Sequence, residues 1–366
     1  MRTLLKIGKY LSIFVLAFLA LAIVALLSLR TYSQHSNAKA YVIDTPKGIN
    51  ESGYVRIGGI EQWVQIRGQD RDNPVLLVLH GGPGGTLRHV TKLFIPWEKD
   101  FTIVQWDQRG AGKTLTSTGA SIAETMSVDR MTKDGIEVAE HLRARLHKDK
   151  ITILGHSWGS ILGINMAKRR PDLFYAFVGT GQVANMPRSM GMNYANLLAQ
   201  AQAAKDQETT RALSEIGPPP FENRHELEVF FGSIDRYPPA SDRVAMDAIK
   251  STLMSPPPGY SLRDVFDGFR GFMVVPSVRI YNEMLGTQLA SLGPDFEIPV
   301  FFIHGTEDNL TQVSLAKEYF ETIKAPHKEM VLLEGGGHFA FLSLSDRFLK
   351  DLVARVRPYA TKSTSP

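Results

Sequence analysis

A serine hydroxyl becomes a strong nucleophile only when a base takes its proton, and one serine of this chain stands where that chemistry is done. Ser157 lies in Gly155-His156-Ser157-Trp158-Gly159, directly after the apolar run 151–154 and before a helical stretch at 161–168. A tight strand-to-helix turn projects such a hydroxyl off the sheet edge, and glycine two residues to either side permits the strained backbone and its close packing. The base must then come from another loop at the same edge. His338 fits, because it follows the strand-like run 330–333 through Glu334-Gly335-Gly336-Gly337. His35, His89, His141, His147, His225 and His327 fall in tether, loop or helix surroundings. His80, His156 and His304 end strands or flank motifs and read as packed histidines bonded to backbone. The acid that orients the imidazole is Asp308, just past the run 300–303, with Glu307 as the adjacent alternative.

A tetrahedral intermediate also needs preorganised N–H donors for its oxyanion. His80-Gly81-Gly82-Pro83-Gly84-Gly85 directly follows the apolar run 75–79 and suits that role, with the amides of Gly82 and Trp158 as the donors and Gly81 as the near alternative. A phosphate-cradling loop is the weaker reading, since no Gly-Lys-Ser/Thr follows.

The elements that position these residues alternate. Strand-like runs at 54–57 and 62–66 are joined by Gly58-Gly59, and apolar runs at 75–79, 101–106, 151–154, 174–178, 300–304 and 330–333 read as strands buried on both faces. Between them, 126–147 carries a helical stripe of Val128, Met131, Val138, Leu142 and Leu146, and further helices are expected near 313–323 and 346–356. This predicts a doubly wound, mostly parallel sheet with helices on both faces. The stretch 183–294 has few strand signals and is expected to form an inserted helical cap, dividing the core into 51–182 and 295–357. Its Phe221, Phe230, Phe231, Tyr237, Phe266, Phe269 and Phe272 read as cap core ahead of pocket lining. Residues 358–366 read as a loose tail.

The first thirty residues hold Arg2, Lys6, Lys9, Arg30 and no acid, and these four account for the whole excess of 41 Lys and Arg over 37 Asp and Glu. The body is therefore neutral, which removes nucleic acid as an expected partner. Residues 10–29 carry no charge and are long enough as a helix to cross a bilayer. They read as an uncleaved transmembrane anchor behind a short cytoplasmic N-terminus (1–9), placing the body on the non-cytoplasmic side. A cleaved signal peptide, giving a secreted protein, is the alternative; Ala38-Lys39-Ala40 offers a small-x-small site well beyond the apolar run. Residues 30–50 lack a clear period and read as a tether. The chain has no cysteine, so disulfides and thiolate sites are excluded, and neither a metal nor an organic cofactor is implied.

His-Gly-Gly-Pro-Gly at 80–84, Trp106-Asp107-Gln108-Arg109-Gly110-Ala111-Gly112 and Gly155-His156-Ser157-Trp158-Gly159 together resemble the proline iminopeptidase group of α/β hydrolases, the S33 peptidases. The resemblance covers about 53–181 and 298–356. It implies the α/β-hydrolase fold, the triad Ser157, Asp308 and His338 in that chain order, the oxyanion loop, a helical cap at 183–294, and a structural role for 107–112 in bracing that loop. Two departures stand out. All four tryptophans (Trp63, Trp97, Trp106 and Trp158) lie outside the cap, whereas the family sets its amine-binding acids in a tryptophan-containing stretch. Those acids stay open among Glu215, Glu222, Glu226, Glu228, Asp235 and Glu283. Thr311-Gln312 also stands where the family has a proline after its aspartate. The implied chemistry is acyl transfer to water on a small-molecule or short-peptide substrate, first as release of N-terminal residues and second as ester or lactone hydrolysis. A non-catalytic membrane-tethered interaction protein is the competing class.

Overall fold

The computed structural model describes residues 2–274 and 278–361. Eight strands form one sheet: β1 Ile49–Ile57, β2 Ile60–Gly68, β3 Val75–Leu79, β4 Thr102–Asp107, β5 Ile151–His156, β6 Phe174–Thr180, β7 Val300–Gly305 and β8 Lys328–Leu333, in the order β1-β2-β4-β3-β5-β6-β7-β8. The first two form an antiparallel hairpin whose second strand also pairs antiparallel with β4, and all remaining pairs are parallel. Gly58 and Gly59 turn the hairpin with φ of 57° and 79°. At Gly58 a Cβ would overlap the Asp134 carboxylate, so only glycine fits.

The helices are α1 Arg2–Ala38, α2 Thr91–Phe94, α3 Gly112–Thr118, α4 Val128–Leu146, α5 Trp158–Arg169, α6 Met186–Ala203, α7 Gln207–Ile216, α8 Arg224–Ile234, α9 Ala240–Met254, α10 Leu262–Val274, α11 Val278–Leu285, α12 Val313–Thr322, α13 Ala340–Ser343, α14 Ser345–Asp351 and α15 Arg357–Thr361. The core lies on both faces of the sheet because strand side chains alternate. Val75, Leu77 and Leu79 of β3 join Met131, Val138 and Leu142 of α4 and Ile161 and Leu162 of α5. Leu76 and Val78 join Phe94, Trp97, Phe341 and Phe348 on the other side. Ser127 caps α4 by accepting from the Arg130 amide at 3.1 Å. The excursion between β6 and β7 consists of α6–α11.

Two expectations at the ends of the chain need correction. The span does not end in an irregular tether: α1 continues through Ala38 and β1 opens at Ile49. Arg30, Ser33, Gln34 and Asn37 recur at helical spacing and bond the loop before α10. Arg30 Nη2 donates to the Tyr260 carbonyl at 2.7 Å, Gln34 Nε2 to the same carbonyl at 2.9 Å, and Ser33 Oγ to Ser255 Oγ at 2.9 Å. The period is carried by polar residues, so a search for apolar spacing passes over it. At the other end 357–361 is helical rather than loose, with Tyr359 packed on Phe301 and His327; residues 362–366 lie outside the described residues.

Candidate active site

The parallel strands end in register, so their carboxyl ends deliver the predicted site residues to one edge. Leu79 pairs with Gly155, His156 with Thr180 and Gly305 with Leu333, which brings the loops carrying Gly81, Ser157, Asp308 and His338 side by side.

Ser157 sits at φ 54° and ψ −122°, a conformation costing a non-glycine residue on the order of 1–3 kcal/mol. The surroundings hold it there. Its amide donates to the Thr180 carbonyl at 3.1 Å, and its carbonyl accepts from the Ser160 amide at 2.8 Å and the Ser160 hydroxyl at 2.6 Å. A Cβ at Gly159 would overlap the Leu79 carbonyl, and one at Gly155 would press on Gly159 and Ser160 backbone. The elbow glycines are thus required by backbone contact with the neighbouring strand and helix.

His338 is buried, and its Nδ1 lies 3.0 Å from Asp308 Oδ2 and 3.2 Å from Oδ1. Its carbonyl is 3.1 Å from His156 Nε2, and the two imidazoles are 4.8 Å apart, so the base candidate packs on the residue that precedes Ser157. Burial pushes the His338 pKa down, but the Asp308 charge and hydrogen bond, backed by Asp242, outweigh it and leave the imidazole raised above its ordinary value. Asp308 is also fully buried. Burial pushes its carboxyl up, yet His338 and His304 together hold it well below the usual carboxylate range. Glu307, the alternative acid, is exposed.

Three residues around this pair carry roles that motif reading missed. His304 accepts from the Gln182 amide at Nδ1 (3.2 Å), which puts its proton on Nε2, 3.3 Å from Asp308 Oδ2. Thr311, the first residue of the Thr311-Gln312 pair, donates its hydroxyl to Asp308 Oδ2 at 2.7 Å and its amide to Oδ1 at 2.9 Å. Thr311 thus satisfies both oxygens of the candidate acid. Asp242, from cap helix α9, accepts from the amides of His338 and Phe339, both at 2.9 Å. Only a count of donors around each carboxylate would have flagged these, and a sequence does not supply one.

On the other side of Ser157, a Cβ on Gly81 would come within 3.2 Å of Ser157 Cβ, so this loop lies against the nucleophile candidate. The 107–112 turn braces it. His80 donates from Nδ1 to the Gly81 carbonyl at 2.8 Å and accepts at Nε2 from the Gln108 amide at 3.2 Å, and burial lowers its pKa to about 4, keeping it neutral. Gln108 in turn accepts from Trp158 Nε1 at 3.1 Å and donates to the His80 carbonyl at 3.2 Å. Asp107 accepts from Thr86 Oγ1 at 2.6 Å.

Of the cap acids, Glu283 accepts from the Val128 amide at 2.6 Å and pairs with Arg279, tying α11 to the start of α4. Glu226 accepts from the Glu222 amide at 2.7 Å at the head of α8, and Glu215 pairs with Arg211 on the surface. Phe221, Phe230 and Phe231 pack on one another as cap core. Phe266 and Phe269 do not; they are exposed at 65% and 57%. The Phe272 side chain lies outside the described residues. Among the described residues no group of three or more His, Asp or Glu is arranged to hold a metal.

A mostly parallel sheet with a serine elbow at the end of one central strand and an acid–histidine pair at the ends of two others defines a known class of scaffold. The α/β hydrolase family model matches residues 75–351, and the chain belongs to that family. It is 28% identical over 327 residues to the probable aminopeptidase YbaC of Bacillus subtilis (strain 168), covering 86% of this chain and 99% of that protein. The proline iminopeptidase of Saccharolobus solfataricus is 29% identical over 152 residues, 40% of this chain and 47% of that one. Among solved structures, a proline iminopeptidase-related protein of Thermus thermophilus superposes with a TM-score of 0.59 at 19% identity, covering 85% of this chain and 99% of that chain, a likeness of fold.

Proposed function

We propose that the protein is a serine hydrolase that cleaves an amide or ester bond through an acyl-enzyme, releasing N-terminal residues from short peptides. Ser157 Oγ attacks the carbonyl carbon while His338 Nε2 takes its proton, and Asp308 accepts from Nδ1–H and stabilises the imidazolium. The amides of Gly82 and Trp158, with Gly81 as the near alternative to Gly82, hold the oxyanion. His338 then gives the proton to the departing amine, and water, deprotonated by the same histidine, releases the acyl group and restores Ser157. The observation that carries this reading is the buried Asp308–His338 pair packed on His156 beside the strained Ser157. The full-length likeness to YbaC supports the peptidase side.

The N-terminal helix is long and apolar enough to cross a membrane. In this reading it stays attached as an anchor, with Arg2, Lys6 and Lys9 on the cytoplasmic side and the body on the other. The bonds from Arg30, Ser33 and Gln34 to the cap support an anchor over a cleaved leader, because cleavage after Ala40 would remove them all.

A fluorophosphonate probe tests the nucleophile. Labelling of the wild type that is lost in Ser157→Ala is expected; equal labelling of both would sink the mechanism. A panel of prolyl and other aminoacyl amides beside simple esters tests the substrate class. Faster turnover with a free amine than with a blocked one is expected, and equal rates would move the reading to a carboxylesterase or lactonase.

A further inference from the structure

Helix α10 is amphipathic the wrong way round for a soluble protein. Its polar side faces inward: Asp264 is 4% exposed and lies 3.7 Å from Arg88 and 3.8 Å from Lys113, while Asp267 is 2% exposed and accepts from Thr116 Oγ1 at 2.5 Å. Its apolar side faces out. Leu262, Phe266 and Phe269 recur at i, i+4 and i+7 and are 55%, 65% and 57% exposed. A contiguous apolar face of this kind, flanked by Arg263 and Arg270, which lie 3.5 and 3.8 Å from Asp267, marks a contact with something apolar and anionic at its edge.

The position of α10 identifies that contact. Residues 10–29 form the uncharged part of α1, and Arg30 is the first charge after it, so Arg30 marks the level at which the helix leaves hydrocarbon. Arg30 bonds the Tyr260 carbonyl at 2.7 Å, and α10 begins at Leu262. The outward apolar face therefore starts at the depth of the bilayer surface, fixed there by the anchor itself. The same helix crosses the candidate oxyanion loop: Gly84 and Gly271 meet backbone to backbone, and a Cβ on either would overlap the other's carbonyl.

We propose that α10 lies on the lipid surface that α1 enters, with Leu262, Phe266 and Phe269 among the acyl chains and Arg263 and Arg270 among the phosphates, so that the candidate oxyanion loop that α10 crosses is held at that surface, within reach of amphiphilic substrates. This rests on the anchor reading of α1. Burying these three side chains adds apolar area removed from water, and the basic rim adds attraction to anionic headgroups.

The absence of native cysteine permits a direct test on the full chain. Single variants Ile13→Cys, Phe266→Cys and Phe269→Cys, with Glu321→Cys as a surface control, are labelled with an environment-sensitive fluorophore. They are reconstituted in phosphatidylcholine–phosphatidylglycerol vesicles carrying a doxyl-labelled lipid. Quenching at Ile13, Phe266 and Phe269 but not at Glu321 is expected. Quenching at Ile13 alone overturns the proposal and leaves the anchor standing; no quenching at Ile13 overturns both. A blue shift at Phe266 and Phe269 without lipid quenching means a protein covers the face, and also overturns it. As a second readout, Phe266→Asp with Phe269→Asp should lower kcat/KM at least about 10-fold for a vesicle-borne long-chain aminoacyl ester. The same variant should leave a soluble short-chain ester within about 2-fold, a difference near 1.4 kcal/mol per factor of ten. Equal loss on both substrates, or on neither, counts against it.

Discussion

The carboxylate of Asp242, on a cap helix, accepts from the backbone amides of His338 and Phe339 at 2.9 Å each, and so holds the loop of the candidate base from above. The neighbouring Ser241 hydroxyl accepts from the Gly337 amide at 2.7 Å, and a Cβ at Gly337 would overlap the Asp242 carboxylate. The head of α9 is thus clamped to three successive amides. The position of this part of the cap and that of the His338 loop are thereby tied together.

Asp242→Asn keeps one acceptor oxygen but loses the charge and one of two acceptor sites. Leaving a buried amide without a partner costs about 1–3 kcal/mol, so kcat/KM should fall by roughly 5- to 150-fold. The pH profile separates a positioning role from general damage. In the proposed mechanism attack requires neutral His338, whose raised pKa keeps the imidazolium populated to higher pH, so activity is expected to fall on the acid side with a midpoint above that of ordinary histidine. Asp242 contributes to that elevation. In Asp242→Asn the midpoint should move to lower pH; an unmoved midpoint with reduced kcat would mean the charge plays no part.

Asp308→Asn should cost more. Asparagine presents an N–H where His338 Nδ1–H needs an acceptor, and the wrong tautomer puts the proton on Nε2, where the serine proton must go. A fall in kcat of about 10,000-fold is expected, with fluorophosphonate labelling of Ser157 slowed in parallel. Thr311→Val removes one hydroxyl donor from the same carboxylate while its amide bond stays, and about 1 kcal/mol, or a roughly fivefold effect, is the scale to look for.

All eight strands were legible because each signal is local, a run of four to six residues bounded by turn residues, and the same local logic, glycine at fixed offsets and a loop after a strand, marks Ser157, Asp308 and His338 as candidates. Which of Asp308 and Glu307 faces inward was not legible, because adjacent residues differ only in how the turn directs them, and that is decided by the Thr311 and Leu310 amides that bind Asp308 Oδ1. Asp242 and His304 were invisible for a related reason. Asp242 acts through backbone amides 96 residues away, and His304 through a shared carboxylate. The aromatic cap residues divided by environment: Phe230 is fully buried and Phe266 lies open, though composition treats them alike. Polar spacing at 30, 33, 34 and 37 read as a tether because its partners are main-chain and hydroxyl oxygens of the cap.

Gly271 and Gly84 give a test of cap seating at a different point. Gly271→Ala places a methyl against the Gly84 carbonyl, where backbone on both sides prevents an easy shift. The oxyanion loop or α10 must move, and displacement of about 1 Å in a catalytic donor costs on the order of 100-fold in rate. Gly191→Ala is the matched control, since its Cβ meets nothing within 4 Å inside helix α6. It should leave kcat/KM unchanged and stabilise by about 0.5–1 kcal/mol. Comparable losses in both variants would mean the Gly84–Gly271 contact carries no special weight.

Arg109, from the turn that braces the oxyanion loop, is buried at 2% exposure and donates to Asp134 through Nε at 2.8 Å and Nη2 at 3.2 Å, and to the Gly58 carbonyl at 3.0 Å. Asp134 is fully buried as well, with Arg130 Nε at 2.9 Å as its other partner. Arg109→Met leaves a buried carboxylate half-compensated, and breaking such a pair costs about 3–5 kcal/mol, with the lower end expected because Arg130 remains. Thermal unfolding of the variant should show a Tm lower by about 5 °C or more. Adding Asp134→Leu removes the stranded charge and leaves Arg130 its second partner, Glu137 at 2.7 Å. The double variant should therefore regain stability over Arg109→Met alone, a coupling that additive losses would contradict.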